Sequence, residues 1–292
     1  MKKPRFLGVS SSWLMAVVLV HLGGAAAAAS EVEVTPDVVY GHKYGMALTF
    51  DVLTPADANG AAVLRMESGG WRSRWRPTDQ SVDRYRALLD HGFTVFAVRH
   101  GSSPKFVIPE IVPDVRRAVR YVRLHARDFG IDPTRVGVWG GSAGGHLSLM
   151  LGTTSDSGDP SAEDAVLRQG DRVAAVVAYY PPVDLREIAR GSDPDIGSAR
   201  FPAVNFEPAD ASAVSPLLHV SSDDPPTLLI HGDEDGLVDI RHSHQMYEAL
   251  QTYGVESKLI IIEGADHGFR GADAERATAA MVAWFETHLG AE

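Results

Sequence analysis

The pentapeptide Gly140-Gly141-Ser142-Ala143-Gly144 constrains the fold of this chain most strongly, because it sets a G-x-S-x-G pattern between two regular elements. Residues 135–139 predict a short buried strand before it, and residues 143–152 predict a helix of small residues after it. Glycines two positions before and after a serine let a strand and a helix approach without Cβ clashes. The pattern also recurs by chance, but this context favours a sharp strand-to-helix turn over a glycine-rich turn with an idle serine.

Strand-like and helix-like segments alternate along the rest of the chain. A β-hairpin is predicted over 38–53, and further strands at 62–66, 93–98, 173–180, 227–230 and 258–262. Helices are predicted at 77–90, 114–129, 240–253 and 274–289, and Asp114 is a predicted N-cap. This order predicts an α/β fold, in which a mostly parallel twisted sheet begins with an antiparallel hairpin and carries helices on both faces. Sites in such sheets form at the carboxyl ends of the strands.

The first 29 residues are predicted to be a cleaved signal peptide. Basic residues precede an apolar run over 14–20, and the alanines at 25–29 suit a signal peptidase. A membrane anchor is the alternative, but the apolar run is short for a bilayer span. We therefore expect a secreted or periplasmic protein without a stable membrane anchor after cleavage. Residues 30–292 are expected to form a single α/β domain.

Charge and cysteine content narrow the classes of partner. The 292-residue chain has a formal net charge of −11, which becomes −14 without the leader residues Lys2, Lys3 and Arg5. An acidic protein is a poor partner for nucleic acid. The chain has no cysteine, which excludes thiol catalysis and cysteine-held zinc or iron–sulfur sites. We therefore expect no nucleic-acid partner, and the sequence leaves the oligomeric state open.

A serine that acts as a nucleophile needs a base, and the base needs an orienting carboxylate. Among the histidines after Ser142, His267 follows the last predicted strand directly, in a loop at the carboxyl edge of the sheet. His146 lies one turn into the helix after Ser142, so it cannot easily reach around to the serine. The sequence therefore predicts His267 as the base.

The orienting acid is expected in the loop after the strand at 227–230. That loop offers Asp233, Glu234, Asp235 and, slightly later, Asp239, and spacing alone does not separate them. Asp266 is adjacent to His267, and adjacent side chains are poorly placed to pair. A calcium site is an alternative use of these acids, but the loop lacks a recognisable calcium-binding pattern.

A turn after the strand at 62–66 is expected to bind the oxyanion that forms when a serine attacks a carbonyl. Gly69 and Gly70, followed by Trp71, would let backbone N–H groups point into the site. The N–H of Ala143, directly after the serine, is the expected partner donor. The predicted oxyanion donors are therefore Gly69, Gly70, Trp71 and Ala143.

Three blocks of sequence resemble serine esterases of the α/β-hydrolase family. The resemblance is closest to bacterial feruloyl and acetyl xylan esterases and to hormone-sensitive-lipase-like carboxylesterases, and it runs from about Leu48 to the C-terminus. Its most specific block continues from 113–120 through 130–133 to 141–146. The second block, 224–238, resembles the family's H-G-x-x-D-x-x-V acid loop, and the third, 266–269, its histidine loop.

The resemblance implies roles for individual residues. It assigns the acid to Asp235 and implies that Ser142, His267 and Asp235 hydrolyse small or carbohydrate-linked carboxylic esters through an acyl-enzyme. It implies a small-molecule ester as substrate, and it implies no cofactor and no metal ion. The connection over 184–216 is longer than a simple turn and is expected to form a small cap over the pocket.

The chain departs from the family at the oxyanion turn. These esterases usually carry H-G-G-G-W, whereas residues 67–71 read E-S-G-G-W. A buried glutamate needs a cationic partner or stays protonated. We expect Glu67 to pair with Arg99, at the end of a strand that should lie beside it.

Two other functions compete with an esterase. A prolyl-oligopeptidase-type peptidase shares the order of serine, acid and histidine, but it usually carries a large gating domain for which this chain has no room. A non-catalytic binding protein on a hydrolase scaffold is the second alternative. Every predicted catalytic position holds a competent residue, which argues against it.

Overall fold

The computed structural model describes residues 31–77, 82–189, 197 and 200–290, so the predicted leader lies outside the described residues. Within them, eight strands form one sheet: β1 (Val32–Lys43), β2 (Met46–Pro55), β3 (Ala62–Met66), β4 (Thr94–Val98), β5 (Val136–Gly141), β6 (Ala175–Tyr179), β7 (Thr227–Gly232) and β8 (Ser257–Ile262). Their order is β1-β2-β4-β3-β5-β6-β7-β8. The β1–β2 and β2–β4 pairs are antiparallel, and the pairs from β4 to β8 are parallel. The predicted α/β fold and its opening hairpin are confirmed.

The helices of the described chain are α1 (Val82–Leu89), α2 (Ile108–Leu124), α3 (Ala143–Thr153), α4 (Arg186–Ala189), α5 (Arg241–Thr252) and α6 (Gly271–Leu289). Short 3₁₀ helices at Pro202–Val204, Pro208–Val214 and Pro216–His219 follow α4 in the predicted cap region. None of these described helices is both long and apolar enough to cross a membrane.

The prediction that α2 begins at Asp114 is wrong. The helix begins at Ile108, where Pro109 occupies the first turn and the Glu110 side chain accepts the N–H of Val107 at 3.1 Å. Proline in a first turn and a glutamate that reaches back to the cap stabilise a helix start. Asp114 instead lies inside the helix, where it accepts hydrogen bonds from Lys43 Nζ and from the N–H of Gly101, both at 2.9 Å.

Apolar side chains cover both faces of the sheet. The buried layer on one face contains side chains of α2, α3 and α5, such as Val119, Leu147 and Met246. The layer on the other face contains side chains of α1 and α6, such as Leu88 and Phe285. Strands buried on both faces read as continuous apolar runs, as β6 does, because successive side chains point to opposite faces. The two layers hold the carboxyl ends of the parallel strands at one edge of the sheet.

Candidate active site

Ser142 occupies a strained turn between β5 and α3. Its backbone has φ 55° and ψ −123°, a region that non-glycine residues rarely adopt and that costs on the order of 1–3 kcal/mol. The Ser142 N–H donates to the Tyr179 carbonyl at 2.9 Å, which ties the turn to β6. A Cβ at Gly140 would lie 2.1 Å from the Gly144 carbonyl oxygen, and one at Gly144 would lie 2.7 Å from the Met66 carbonyl oxygen. The two glycines therefore make the close strand–helix approach possible.

His267, in the loop after β8, lies between Ser142 and Asp235. Its Nε2 is 3.0 Å from Ser142 Oγ, and its Nδ1 is 2.7 Å from Asp235 Oδ2. Because an ionised carboxylate only accepts hydrogen bonds, Nδ1 carries the proton and Nε2 presents its lone pair to the serine hydroxyl. The tertiary structure thus brings together three residues separated by up to 125 positions in the chain.

The side chain of Asp235 is completely buried and satisfied on both oxygens. Its Oδ1 accepts the N–H groups of Leu237 and Val238, each at 2.9 Å, while Oδ2 faces His267 and, at 3.2 Å, Nε2 of His231. Burial acts to raise the pKa of Asp235, but hydrogen bonds from His231, from His267 and from the two amides outweigh it. They hold the pKa of this carboxyl well below its usual range, so Asp235 is ionised.

The other acids of the same region serve local turns. Asp233 accepts the N–H of Gly264 at 2.6 Å, and Asp239 accepts the N–H of Arg241 at 2.8 Å. Asp266 accepts two backbone N–H groups, one of them from His267. Among these acids of the described chain, Asp235 alone has a hydrogen bond to the His267 imidazole.

Sequence reasoning assigned no role to His231, which is completely buried at the end of β7. Its Nδ1 lies 2.7 Å from Ser243 Oγ, and its Nε2 lies 2.9 Å from the Val238 carbonyl oxygen. Because Nε2 faces only acceptors, it carries a proton and donates toward both Val238 and Asp235. The sequence signal that could have indicated this role is a histidine at the end of a strand, four residues before the predicted acid.

The turn after β3 presents free backbone donors. The Gly69 N–H donates to the Arg72 carbonyl at 3.0 Å, and the Arg72 N–H returns a bond to Gly69 at 3.1 Å. Between them, Gly70 and Trp71 adopt positive φ values of 57° and 55°. Within the described chain, the N–H groups of Gly70, Trp71 and Ala143 have no protein acceptor. These three predicted donors are available to a ligand, whereas that of Gly69 closes the turn.

Trp71 is anchored by His146, a second histidine whose role sequence reasoning missed. The Trp71 indole N–H donates to His146 Nδ1 at 3.2 Å, and His146 Nε2 donates to the Val214 carbonyl at 2.8 Å. Burial lowers the pKa of His146 to about 4, so the ring is neutral. His146 therefore connects the oxyanion turn to the cap and, as predicted, does not contact Ser142 as a base.

Two aromatic rings border the site. A Cβ at Gly70 would lie 2.8 Å from the ring of Phe201, so this cap residue packs directly on the oxyanion turn. On the other side, the ring centroid of Tyr180 is 4.6 Å from that of His267. The Phe201 ring limits the volume available beside Gly70.

The expected pairing of Glu67 with Arg99 is wrong. The two terminal nitrogens of Arg99, Nη1 and Nη2, each donate to Asp51 at 2.8 Å, whereas Glu67 accepts a hydrogen bond from Tyr85 and lies 3.4 Å from Arg84. Arg99 follows β4, which lies between β2 and β3, so its side chain can reach an acid on either neighbouring strand. It binds Asp51 of β2 because this carboxylate is only 1% exposed and a buried charge requires a partner.

Comparison with known proteins identifies the family. The BD-FAE family model matches residues 50–250, which is more than half of the chain. The chain belongs to the BD-FAE family. Over 223 residues it is 29% identical to a probable carboxylic ester hydrolase, LipM, of Mycobacterium tuberculosis, a match that covers 74% of this chain and 51% of LipM. This BD-FAE chain spans about half the length of the curated relatives it matches.

Solved structures of the same fold cover the chain more completely. An acetyl ester-xyloside bifunctional hydrolase from Caldicellulosiruptor lactoaceticus superimposes with a TM-score of 0.74 at 26% identity, covering 86% of this chain and 95% of that one. Esterase 2 of Thermogutta terrifontis, phosphorylated by paraoxon, superimposes with a TM-score of 0.69 at 26% identity, covering 90% and 95%. The structural neighbours of this BD-FAE protein are esterases of the α/β-hydrolase fold, as the sequence resemblance predicted.

Proposed function

We propose that this BD-FAE protein is a serine carboxylesterase that hydrolyses small or carbohydrate-linked esters, with Ser142, His267 and Asp235 as its catalytic residues. One observation carries the proposal: a continuous hydrogen-bonded series from Ser142 Oγ through the His267 imidazole, at 3.0 and 2.7 Å, to an ionised and buried Asp235. A serine, a neutral imidazole and a carboxylate in this order are the groups that acyl transfer requires.

The geometry supports a two-step reaction. Ser142 Oγ attacks the ester carbonyl while His267 Nε2 takes its proton, and the alcohol then leaves with that proton. Water attacks the resulting acyl-enzyme with His267 again as base, which releases the acid and restores Ser142. Asp235 holds the proton on Nδ1 and stabilises the imidazolium that forms in both steps.

Backbone donors would bind the oxyanion of each tetrahedral intermediate. The N–H groups of Gly70, Trp71 and Ala143 lack protein acceptors in the described chain, and Ala143 begins helix α3, whose N-terminus favours negative charge. Each donor of this kind contributes about 3 kcal/mol to lowering the barrier. The remaining predicted donor, Gly69, contributes by holding the turn through its bonds to Arg72.

The proposed substrate class draws on the site and on the relatives. The Phe201 ring packs on Gly70 and favours a small acyl group on that side. One structural neighbour is an acetyl ester-xyloside hydrolase, which supports esters on sugars. We also propose export, because residues 1–29 carry the pattern of a signal peptide; N-terminal sequencing of protein recovered outside the cytoplasm tests it.

The decisive experiment measures hydrolysis of 4-nitrophenyl acetate and butyrate by the wild type and by Ser142→Ala. Turnover that disappears in the variant establishes a serine esterase, and acetylated xylo-oligosaccharides then test the sugar substrate. A proline anilide in the same assay tests the peptidase alternative. No turnover of any ester by folded protein, with no labelling of Ser142 by a phosphonate, would refute the proposal.

A further inference from the structure

A cavity of about 230 Å³ lies beside the oxyanion turn, and arginines dominate its lining. Five of them contribute, namely Arg65, Arg72, Arg74, Arg76 and Arg84. Glu67 is the one carboxylate among the described residues that line it. Because the whole chain carries a net charge of −11, this local excess of positive charge runs against the overall balance.

The chain assembles this cluster with an alternating segment. Arginine occupies every second position over 72–76, and side chains of an extended chain alternate between two sides. Arg72, Arg74 and Arg76 accordingly line the same cavity. Trp75, between two of them, turns away, and its indole nitrogen lies 3.2 Å from Asp37 Oδ1. The three exposed arginines therefore border one cavity.

Most of this charge has no counterion in the described chain. Glu67 lies 3.6 Å from Arg65 and 3.4 Å from Arg84. Among the described residues, no carboxylate is within 4.0 Å of the guanidinium of Arg72, Arg74 or Arg76. By contrast, three arginines of helix α2 each have an aspartate partner at 2.6 Å: Arg116, Arg117 and Arg120. Guanidinium groups that converge on one cavity repel each other, so an anion placed among them would be held strongly.

Two further donors of residues that line the cavity lack hydrogen-bond partners. The buried Oγ of Ser68 has none in the described chain, and the buried Nε of Arg65 has only the ion pair with Glu67 at 3.6 Å. The carboxylate of Glu67 shows that this space accepts such a group, because two guanidiniums and the Tyr85 hydroxyl already surround it. The cavity therefore combines one bound carboxylate with three arginines that have no carboxylate partner in the described chain.

The cavity adjoins the turn that presents the candidate oxyanion donors. Ser68 and Gly69, which line it, directly precede the free N–H groups of Gly70 and Trp71. Nη1 of Arg65 lies 3.4 Å from the point where a Cβ on Gly144 would stand, two residues after Ser142. The arginine cavity therefore lies next to the backbone that would bind the oxyanion of a substrate.

We propose that this cavity binds a carboxylate of the substrate, and that the protein prefers esters whose acyl or alcohol part carries a negative charge. The inference rests on the proposed esterase function and narrows its substrate class. The guanidinium groups of Arg72, Arg74 and Arg76 supply forked donors that match the two carboxylate oxygens. They determine specificity and take no part in proton transfer.

Two matched pairs of substrates test the preference and locate the charge. In the first pair, 4-nitrophenyl hemisuccinate and 4-nitrophenyl butyrate differ by a carboxylate in the acyl part. In the second, the acetate esters of 4-hydroxybenzoate and of 4-hydroxybenzamide differ by a carboxylate in the alcohol part. The quantity compared is the ratio of kcat/KM for the anionic ester over the neutral one.

The ratio is measured for the wild type and for a double variant that combines Arg74→Gln and Arg76→Gln. The matched control is a double variant, Arg127→Gln and Lys258→Gln, which removes two exposed cations that do not line the cavity. We expect the arginine variant to lower the ratio in at least one pair by up to about fivefold for each charge removed, and the control to leave it unchanged. Higher ionic strength should lower the wild-type ratio in the same pair.

A second measurement tests carboxylate binding without relying on ester hydrolysis. Calorimetry with succinate and the Ser142→Ala protein reports binding to the cavity directly, and the two arginine substitutions should abolish that binding. Ratios in both pairs that match the control, together with no succinate binding, would overturn the inference. Serine-dependent hydrolysis of neutral esters would in that case still establish the proposed function, so the two failures are distinguishable.

Discussion

Nε2 of His231 lies 3.2 Å from Oδ2 of Asp235, so two histidines face the same carboxylate oxygen. One of them, His267, also contacts Ser142, whereas His231 is completely buried and contacts Ser243 and Val238 instead. We expect His231 to act as a positioning residue that holds the Asp235 carboxylate from within the buried core. Such a group keeps Asp235 ionised and its oxygen aimed at His267 Nδ1.

Replacement of His231 should lower kcat with little change in KM for a neutral ester. His231→Phe removes the donor to Asp235, and we expect kcat to fall by about tenfold, since one hydrogen bond to a charged group is lost. His231→Gln keeps an N–H donor and should recover much of that loss. Steady-state kinetics with 4-nitrophenyl acetate checks both variants, and equal losses in the two would argue for packing alone.

The stability of the fold should decrease as the pH falls from about 6.5 to about 4, because buried His146 must stay neutral. Its pKa is lowered to about 4 in the folded chain, while an unfolded histidine titrates near 6.5, so the unfolded state binds the proton first. The stability that neutral His146 contributes is fully present above about pH 6.5. It is lost as the pH falls to about 4, and the total loss in the free energy of unfolding is on the order of 3 kcal/mol.

His146→Gln tests this origin of the acid sensitivity. The glutamine amide does not titrate, and its oxygen can still accept the indole N–H of Trp71. Urea unfolding at a series of pH values should give a flatter dependence for the variant. His100, whose pKa burial also lowers to about 4, keeps part of the slope in both proteins. Parallel curves for the variant and the wild type would refute the assignment to His146.

Gly140→Ala should be among the most destabilising single-methyl changes in the chain. The new Cβ would lie 2.1 Å from the Gly144 carbonyl oxygen, and a backbone atom at the start of α3 cannot move without displacing Ser142. We expect a loss of about 3 kcal/mol in the free energy of unfolding and loss of esterase activity.

Gly152→Ala, within helix α3, provides the comparison. Its Cβ would lie 3.0 Å from Cγ2 of Val176, a side-chain atom that can shift, and alanine favours a helix interior by roughly 0.5–1 kcal/mol over glycine. Urea midpoints of the two variants therefore separate backbone crowding from ordinary packing. Similar midpoints would show that the approach of β5 to α3 tolerates a side chain.

Arg99→Met should destabilise the protein far more than Arg84→Met does. Without Arg99, the carboxylate of Asp51 stays buried without its guanidinium partner, at a cost of about 3–5 kcal/mol. Without Arg84, Glu67 keeps Arg65 and Tyr85, and Arg84 is a partly exposed partner that contributes about 1 kcal/mol or less. Chemical unfolding of both variants measures the difference, and equal losses would contradict the assignment of Arg99 to Asp51.

Local patterns in the sequence were sufficient to predict the α/β architecture. The spacing of apolar residues predicted every strand of the described sheet, and the glycines around Ser142 predicted the tight turn between β5 and α3. Helix α2 shows where a local pattern is ambiguous. Its true start uses Pro109 and Glu110, while the polar Asp114 offered an equally plausible cap and is instead held by Lys43, 71 residues away.

The loops that carry the candidate catalytic residues could be predicted, because the carboxyl ends of parallel strands meet at one edge. The choice among Asp233, Asp235 and Asp239 could not be made from spacing, and the resemblance to serine esterases favoured Asp235. In the structure, Asp235 points to the His267 imidazole, while the other two cap local turns.

By itself, the sequence determined what depends on neighbours within a few positions: the order of strands and helices, the turn at Ser142 and the edge of the sheet where the site forms. Only the tertiary structure decided which distant side chains meet. It paired Arg99 with Asp51, placed His231 against Asp235 and His146 against Trp71, and gathered the arginines around Glu67. The physical reason is that buried charges and donors take whichever partner packing brings within reach, and that distance depends on the whole fold.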